Sequence, residues 1–274
     1  MGNNLTILKL VSAKKVKPRS RAVITGGSSG IGREIAIQYS MRGYRLLLSA
    51  RQRGPLEETK RMCESLGAEE VHTQVTDVDS EDQCKALVEK AIELFEGIDI
   101  LVLCAGMGAH QLFKEVTSLE SYQRLMKTNF FGYLHCTFYA LNYLKESKGQ
   151  ILVVSSISGE IGLPFRTAYC ASKFAVTGFF EALRTELDQD NVAITIVCPP
   201  SVKTKFRENS LVRVKTQHDN EHTIDVDKCV KDILAAADRR ARKIYFPFKV
   251  YFAAYVRPFF PDLIDKKLKR AAKL

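Results

Sequence analysis

Tyr169 and Lys173 stand four residues apart in Ala168-Tyr169-Cys170-Ala171-Ser172-Lys173, a spacing that sets side chains next to each other on a helix. An ammonium beside a phenol favours the phenolate and lowers a pKa of about 10 in water, toward acid/base work at cellular pH. Taken alone, such a pair is more often a lysine snorkelling along a surface tyrosine. The chemical reading needs the rest of the chain to bring a substrate and a partner to the phenol.

Near the amino end, the apolar run Ala22-Val23-Ile24-Thr25 precedes Gly26-Gly27-Ser28-Ser29-Gly30-Ile31-Gly32, and a helical pattern follows from Arg33 to Met41. This order predicts a strand, a glycine turn and a helix. Glycines let the backbone turn tightly and approach a pyrophosphate, and a helix start at Ile31 offers free N–H groups and the positive end of a dipole. Three residues separate Gly26 from Gly30, so the turn departs from the ordinary dinucleotide fingerprint.

These features together resemble the classical short-chain dehydrogenase/reductase family, from about Arg21 to about Thr204. The resemblance implies that Thr25 through Gly32 holds a dinucleotide, with Gly26, Ser28, Ser29, Gly30, Ile31 and Gly32 as contacts. It assigns four catalytic positions: Asn129, Ser156, Tyr169 and Lys173, the serine standing thirteen residues before the tyrosine. It further places Asp77 at the adenine, Ala105 and Gly106 after the fourth strand, and Pro199 and Thr204 near the nicotinamide. Two positions depart from the family pattern: Cys104 replaces a strand-end asparagine, and Pro200 replaces a loop glycine and stiffens it. The implied mechanism has Ser156 polarise a carbonyl oxygen where negative charge grows and Tyr169 protonate it. Lys173 would depress the tyrosine pKa and hold the nicotinamide ribose, and Asn129 would keep a water in line.

Cofactor choice is argued from the end of the second strand, Tyr44 to Ala50. Arg51 and Arg53 follow, and no acidic residue occurs from Ser49 to Pro55. An acidic residue there would accept from the ribose hydroxyls of NAD, whereas an arginine suits the extra phosphate of NADP. The expectation is NADP (NADPH), with Arg51 as the phosphate contact and Arg33 as a second cation.

At 274 residues the chain buries a full core as one unit. Apolar strands at Ile98 to Leu103, Ile151 to Val154 and Val192 to Val197 alternate with longer helical stretches. The expected class is α/β: a single Rossmann-type, doubly wound parallel sheet with helices on both faces. The expected organisation is a basic tail over 1–20, the catalytic domain over 21–243 and an aromatic, basic extension over 244–274. The seven cysteines lack metal-type spacing and read as reduced core thiols of an intracellular protein, with no metal site.

The net charge of +10 is uneven: residues 1–33 contribute +7, residues 239–274 contribute +9, and the body between them is −6. Basic ends on an acidic body suit an anionic membrane surface, and no nucleic-acid motif is present. Eight aromatics fall within residues 245–260, interrupted by Pro247, Lys249, Arg257 and Pro258. Such a stretch does not form a continuous spanning helix; it reads as an interfacial anchor, or as a substrate lid or dimer contact packed on the same protein. Met1-Gly2-Asn3-Asn4-Leu5-Thr6 fits myristoylation of Gly2, and Ala272-Lys273-Leu274 resembles a peroxisomal address. The expected location is peripheral on a membrane of endoplasmic-reticulum type, with peroxisome and cytoplasm as alternatives.

Within the family, Leu163 to Tyr169 and the tail look most like the membrane-associated branch. That branch includes 11-beta-hydroxysteroid dehydrogenases, acyl- or alkyl-dihydroxyacetone-phosphate reductases and 3-ketodihydrosphingosine reductases. The expected activity is reduction or oxidation of a lipophilic ketone or alcohol such as a keto-lipid or steroid. By family analogy the chain forms a homodimer through its long helices. A different class, a cofactor-sensing peripheral membrane protein with incidental catalysis, is the alternative, and the filled catalytic positions favour the enzyme.

Overall fold

The structure is a computed structural model that describes residues 20–208, 210–212, 223–246 and 255–272. Seven strands form one sheet: β1 (Arg21–Thr25), β2 (Arg45–Ala50), β3 (Glu70–Val75), β4 (Ile100–Leu103), β5 (Gln150–Val154), β6 (Ala193–Cys198) and β7 (Lys243–Tyr245). All neighbours pair in parallel in the order β3-β2-β1-β4-β5-β6-β7. Because parallel strands need crossovers, each connection carries helix back across the sheet, and both sheet faces become buried. The expected Rossmann-type doubly wound fold is what the chain forms.

The alternation of side chains along each strand splits the core in two. Val23, Leu101, Leu103, Ile151 and Val153 pack on one face against α3 (Glu81–Phe95), α5 (Gly132–Ser147) and α6 (Thr167–Glu186). Ala22, Ile24, Val102, Leu152 and Val154 pack on the other against α1 (Gly30–Ser40), α2 (Arg53–Ser65) and α7 (Val226–Asp238). Arg21 binds Asp99 through Nε (2.8 Å) and Nη2 (2.9 Å), which ties the entrance of β1 to the segment before β4.

The strand order reverses between β1 and β4, and the loops leaving their carboxyl ends part there to open a crevice. The glycine turn leaves β1 and the Cys104–Gly106 segment leaves β4 on either side of it. A short helix α4 (Glu120–Met126) enters a π-helical turn over Lys127–Phe131 before α5, an irregularity that places Asn129 inside the molecule.

The expected boundary at 243/244 falls within β7, so the sheet itself runs into the aromatic stretch. Tyr245 and Phe246 are core residues, whereas Tyr255, Phe259 and Phe260 are exposed and precede a final helix, Pro261–Ala272, anchored by buried Ile264. Phe248, Tyr251 and Phe252, the amino-terminal stretch with Gly2, and Lys273 and Leu274 lie outside the described residues. Among the described residues no helix is long and apolar enough to cross a membrane. The cysteines are all free, and all but Cys104 are buried.

Candidate active site

A cleft of about 580 Å³ lies along the carboxyl ends of the strands. Its floor begins at the glycine turn. Gly26 holds φ +70° with a hypothetical Cβ 2.9 Å from the Ala105 main chain, and Gly30 holds φ +54° against Thr204. A side chain at Gly26 would therefore wedge the β1 turn away from the β4 loop. Gly32 does not face the cleft; a Cβ there would run into the Gly26 carbonyl, so this glycine lets α1 sit close on the turn. Thr25 Oγ1 donates to Val102 O (3.2 Å) and accepts from Cys104 N–H (3.0 Å), which locks the two loops together. A polar residue ending an apolar strand was the sequence signal for this lock.

The rest of the expected cofactor contacts line the same cleft: Ser28, Ser29 and Ile31 at the turn, Arg51 after β2, Asp77 after β3, Ala105 and Gly106 after β4, and Pro199 and Thr204 after β6. Ser29 is the N-cap of α1 but its hydroxyl makes no capping bond, and no acidic side chain occupies the first turn of α1. Ser49 Oγ, at the end of β2 beside Arg51, is buried in the cleft wall without a hydrogen-bond partner among the described residues. A glycine cradle, an uncompensated helix N-terminus and an orphaned hydroxyl are what a dinucleotide's pyrophosphate and ribose require. These residues fit a nicotinamide dinucleotide.

Asp77 accepts from the Asp79 N–H (3.1 Å), while Ser80, accepting from the Gln83 N–H, caps α3. Arg33 differs from expectation. It reaches Glu58 at 2.9 Å and does not line the cleft, so it is not a second phosphate cation there. Its partner is distant in sequence, which is why spacing did not reveal the pair. Arg53 begins α2 and likewise lies outside the cleft.

Ser156, Tyr169 and Lys173 all face the cleft. Ser156 opens a short turn after β5, and its Oγ accepts from the Ser158 N–H (3.1 Å), which leaves the hydroxyl hydrogen to point elsewhere. Lys173 is 4 % exposed; its Nζ donates to Val154 O (2.9 Å) and lies 5.9 Å from the Tyr169 ring centre. Tyr133, which the sequence did not single out, donates to the same carbonyl (3.0 Å), and its ring centre lies 5.1 Å from Nζ. Asn129 is 0 % exposed and does not line the cleft. It accepts from Met107 N–H (2.8 Å) and donates to Met107 O and Ser172 Oγ (both 3.0 Å), so its side chain clamps the β4 loop to α6.

The electrostatics run opposite to one expectation. Burial pushes the Tyr169 pKa up to about 12, against a hydrogen bond from Ser156 and the charge of Arg166, which pull it down. Lys173 is itself lowered to about 8 by burial. Desolvation is the largest cause for both members of the pair. Among the described residues no cluster of His, Cys, Asp or Glu is arranged to hold a metal ion.

The short chain dehydrogenase family pattern matches residues 20–213. A hydroxysteroid 11-beta-dehydrogenase 1-like protein of Xenopus tropicalis is 35% identical over 254 residues, covering 92% of this chain and 87% of that protein. A dehydrogenase/reductase SDR family protein 7-like of Dictyostelium discoideum is 34% identical over 250 residues, covering 89% and 78%. Among solved structures, a short chain dehydrogenase/reductase from Burkholderia phymatum in complex with NAD superposes with a TM-score of 0.81 at 24% identity, covering 90% of this chain and 95% of its own. An alcohol dehydrogenase from Thermococcus sibiricus complexed with 5-hydroxy-NADP gives 0.74, also at 24%, covering 83% and 96%. These two likenesses speak to the fold.

The Lys173 value has a thermodynamic consequence. Its folded pKa of about 8 lies below the ordinary lysine value of about 10.4, so the unfolded chain holds the proton more tightly and stability rises across that window as pH rises. In urea unfolding, the native protein should gain on Lys173→Met by up to about 3 kcal/mol between pH 7.5 and about 10.5. A difference between the two proteins that stays flat over this range rejects the shift.

Proposed function

The chain belongs to the short chain dehydrogenase family, and from that premise we propose that it is an NADP-dependent oxidoreductase that reduces the carbonyl of a lipophilic substrate. The observation that carries this reading is the convergence of Ser156, Tyr169 and Lys173 on one cleft that the glycine turn also lines. When bound, the nicotinamide supplies the hydride. Ser156 donates a hydrogen bond to the substrate oxygen, favouring the charge that grows there. Tyr169 gives that oxygen its proton, leaving a phenolate that the Lys173 ammonium stabilises until solvent restores the proton. The reduced product is the alcohol.

The Tyr169 pKa of about 12 favours the reductive direction. A phenol that holds its proton at cellular pH is always ready as an acid, and a developing alkoxide is a stronger base than a phenolate, so the transfer runs downhill. In the oxidative direction the same residue would have to begin deprotonated. Arg51, exposed at the end of β2 and on the cleft wall, supports NADP over NAD. The relatives named as hydroxysteroid dehydrogenase-like support a lipophilic substrate.

Two surfaces support the expected partners. Tyr255, Phe259 (78 % exposed), Phe260 and Leu263 crowd the start of the final helix, and Lys266, Lys267, Lys269 and Arg270 follow on it. Exposed aromatics with a basic run are the composition of an interfacial membrane anchor. Phe131, Phe138 (73 % exposed) and Phe174 form a second apolar set beside and on α5 and α6, where Gly178 leaves open space. This face suits pairing with a second copy.

Purified protein should oxidise NADPH with a keto-lipid, and Tyr169→Phe should cut turnover by about a hundredfold or more; full activity in that variant rejects the assigned acid. In the same assay Arg51→Ala should reduce the NADPH:NADH ratio of kcat/KM about ten- to a hundredfold, and an unchanged ratio removes the argument for NADP. Flotation with vesicles containing phosphatidylserine should recover the native protein but much less of a folded Phe259→Ser/Phe260→Ser/Leu263→Ser variant. Equal recovery ends the anchor proposal. Light scattering should give a mass near twice 30.8 kDa, whereas a monomer mass at micromolar concentration contradicts the pairing.

A further inference from the structure

The part of the cleft next to Tyr169 has two kinds of wall. One is apolar: Met107 and Ala109 line the cleft and pack in a small cluster with Leu125, Ala168 and Tyr169, and Phe206 sits with its ring centre 5.9 Å from that of Tyr169. The other is cationic. Arg166, the residue before α6, lies one turn ahead of Tyr169, lines the cleft, and acts on the phenol electrostatically. Its Nε donates to His110 Nε2 at 2.6 Å, and His110 is another cleft residue. Arg207 reaches the same space next to Phe206, hydrogen-bonded to Ser201.

The backbone around this pair is committed to its position. Phe165, immediately before Arg166, holds φ +63°, a conformation that a bulky side chain rarely adopts, and its carbonyl accepts from the Gln111 N–H at 2.8 Å. His110 N–H donates to Val212 O (2.8 Å) and Leu211 N–H to Gly108 O (2.9 Å), which fixes the His110 segment beneath the chain that roofs the cleft. Fixing the Nε of a guanidinium sets its plane, the preorganisation that recognition of a carboxylate or phosphate uses.

We infer that the substrate carries an anionic group, a phosphate or a carboxylate near its ketone, and that Arg166, oriented by His110, receives it. The inference rests on carbonyl reduction at Tyr169 as proposed above and narrows its substrate class to anionic amphiphiles. The anion docks on the cationic wall while the chain follows Met107, Ala109 and Phe206. A neutral sterol ketone uses the apolar wall alone.

Two matched pairs test this: a long-chain keto-lipid phosphate against the alcohol left by removing its phosphate, and a long-chain keto acid against its methyl ester. The native enzyme with NADPH should favour the anionic member of at least one pair by tenfold or more in kcat/KM, mostly through KM; the pair showing the larger preference identifies the anion. Arg166→Gln should lower that preference about ten- to a hundredfold, and Arg166→Lys should retain part of it. Equal or better use of both neutral members by the native enzyme overturns the inference. Calorimetry with dodecyl phosphate on NADP-saturated protein decides the point without turnover: at least tenfold weaker binding to folded Arg166→Gln supports the site, and equal binding by native protein and both variants overturns it. Failure to reduce any ketone would sink the proposed reaction while this titration still judged the anion site.

Discussion

The bond from Lys173 Nζ to the main-chain oxygen of Val154 is the constraint around which the site is arranged. Taking an ammonium out of water costs several kcal/mol, and a hydrogen bond from a charged donor returns about 1.5–3 kcal/mol. Burial wins, which is why the Lys173 pKa falls to about 8 rather than rising beside its phenol. The bond also fixes geometry. Val154 ends β5, Lys173 lies on α6, and joining them sets the rotation of α6 over the sheet. That rotation turns Tyr169, one helical turn earlier, into the cleft. Ser156 follows Val154 by two residues, so the carbonyl that holds the amine is continuous with the segment that carries the hydroxyl.

Around this tie the structure spends much of its buried polarity on holding loops rather than on lining the cleft. Asn129 is the clearest instance. All its side-chain bonds run to Met107 and Ser172, so it joins the β4 loop to α6 from behind. Thr25 performs a similar service between the β1 turn and the β4 loop. On the far side of the Ser156 turn, Glu160 accepts from Lys243 Nζ (2.9 Å) and from the Tyr245 hydroxyl (2.6 Å), which fastens that turn to β7. In each case two segments distant in sequence meet through a satisfied polar group. Such groups are expensive to disrupt, and they hold the segments that carry Ser156, Tyr169 and Lys173 in place.

The sequence showed most clearly what spacing alone determines. A four-residue interval on a helix put Tyr169 and Lys173 together, and an apolar run before glycines placed the turn at the end of β1. Apolar strands alternating with helical stretches announced a sheet buried on both faces. What spacing does not encode is depth. The expectation of a lowered Tyr169 pKa weighed a neighbouring charge without the burial that dominates it. Arg33 looked like a phosphate ligand because Glu58 is distant in sequence, and the pairing of His110 with Arg166 spans 56 residues. Tyr245 and Phe246 counted toward an anchor by composition, yet the sheet edge absorbs them. Asn129 was found by its place in a motif, while its clamp role depends on a π-helical turn that no local pattern announced.

The loop between Ser156 and Tyr169 is where these features converge. Its amino-terminal part holds Glu160, and its carboxyl-terminal part bends through Phe165 to present Arg166. Near its middle, a Cβ on Gly162 would lie 3.8 Å from the guanidinium of Arg257, and Arg257 pairs with Asp265 on the final helix (3.3 Å). The segment that bears the exposed aromatics therefore abuts the loop that bears the cationic wall. For an amphipathic substrate this adjacency has a physical consequence. A chain held by apolar side chains and a head drawn to a guanidinium experience opposite solvation. The lipid-facing proposal and the anion proposal thus concern neighbouring surfaces but different settings, burial of aromatic area beside exposed basic side chains in one and charge recognition inside the cleft in the other. Salt separates them: it weakens attraction at an exposed charged surface more than it weakens a desolvated pair inside a cleft.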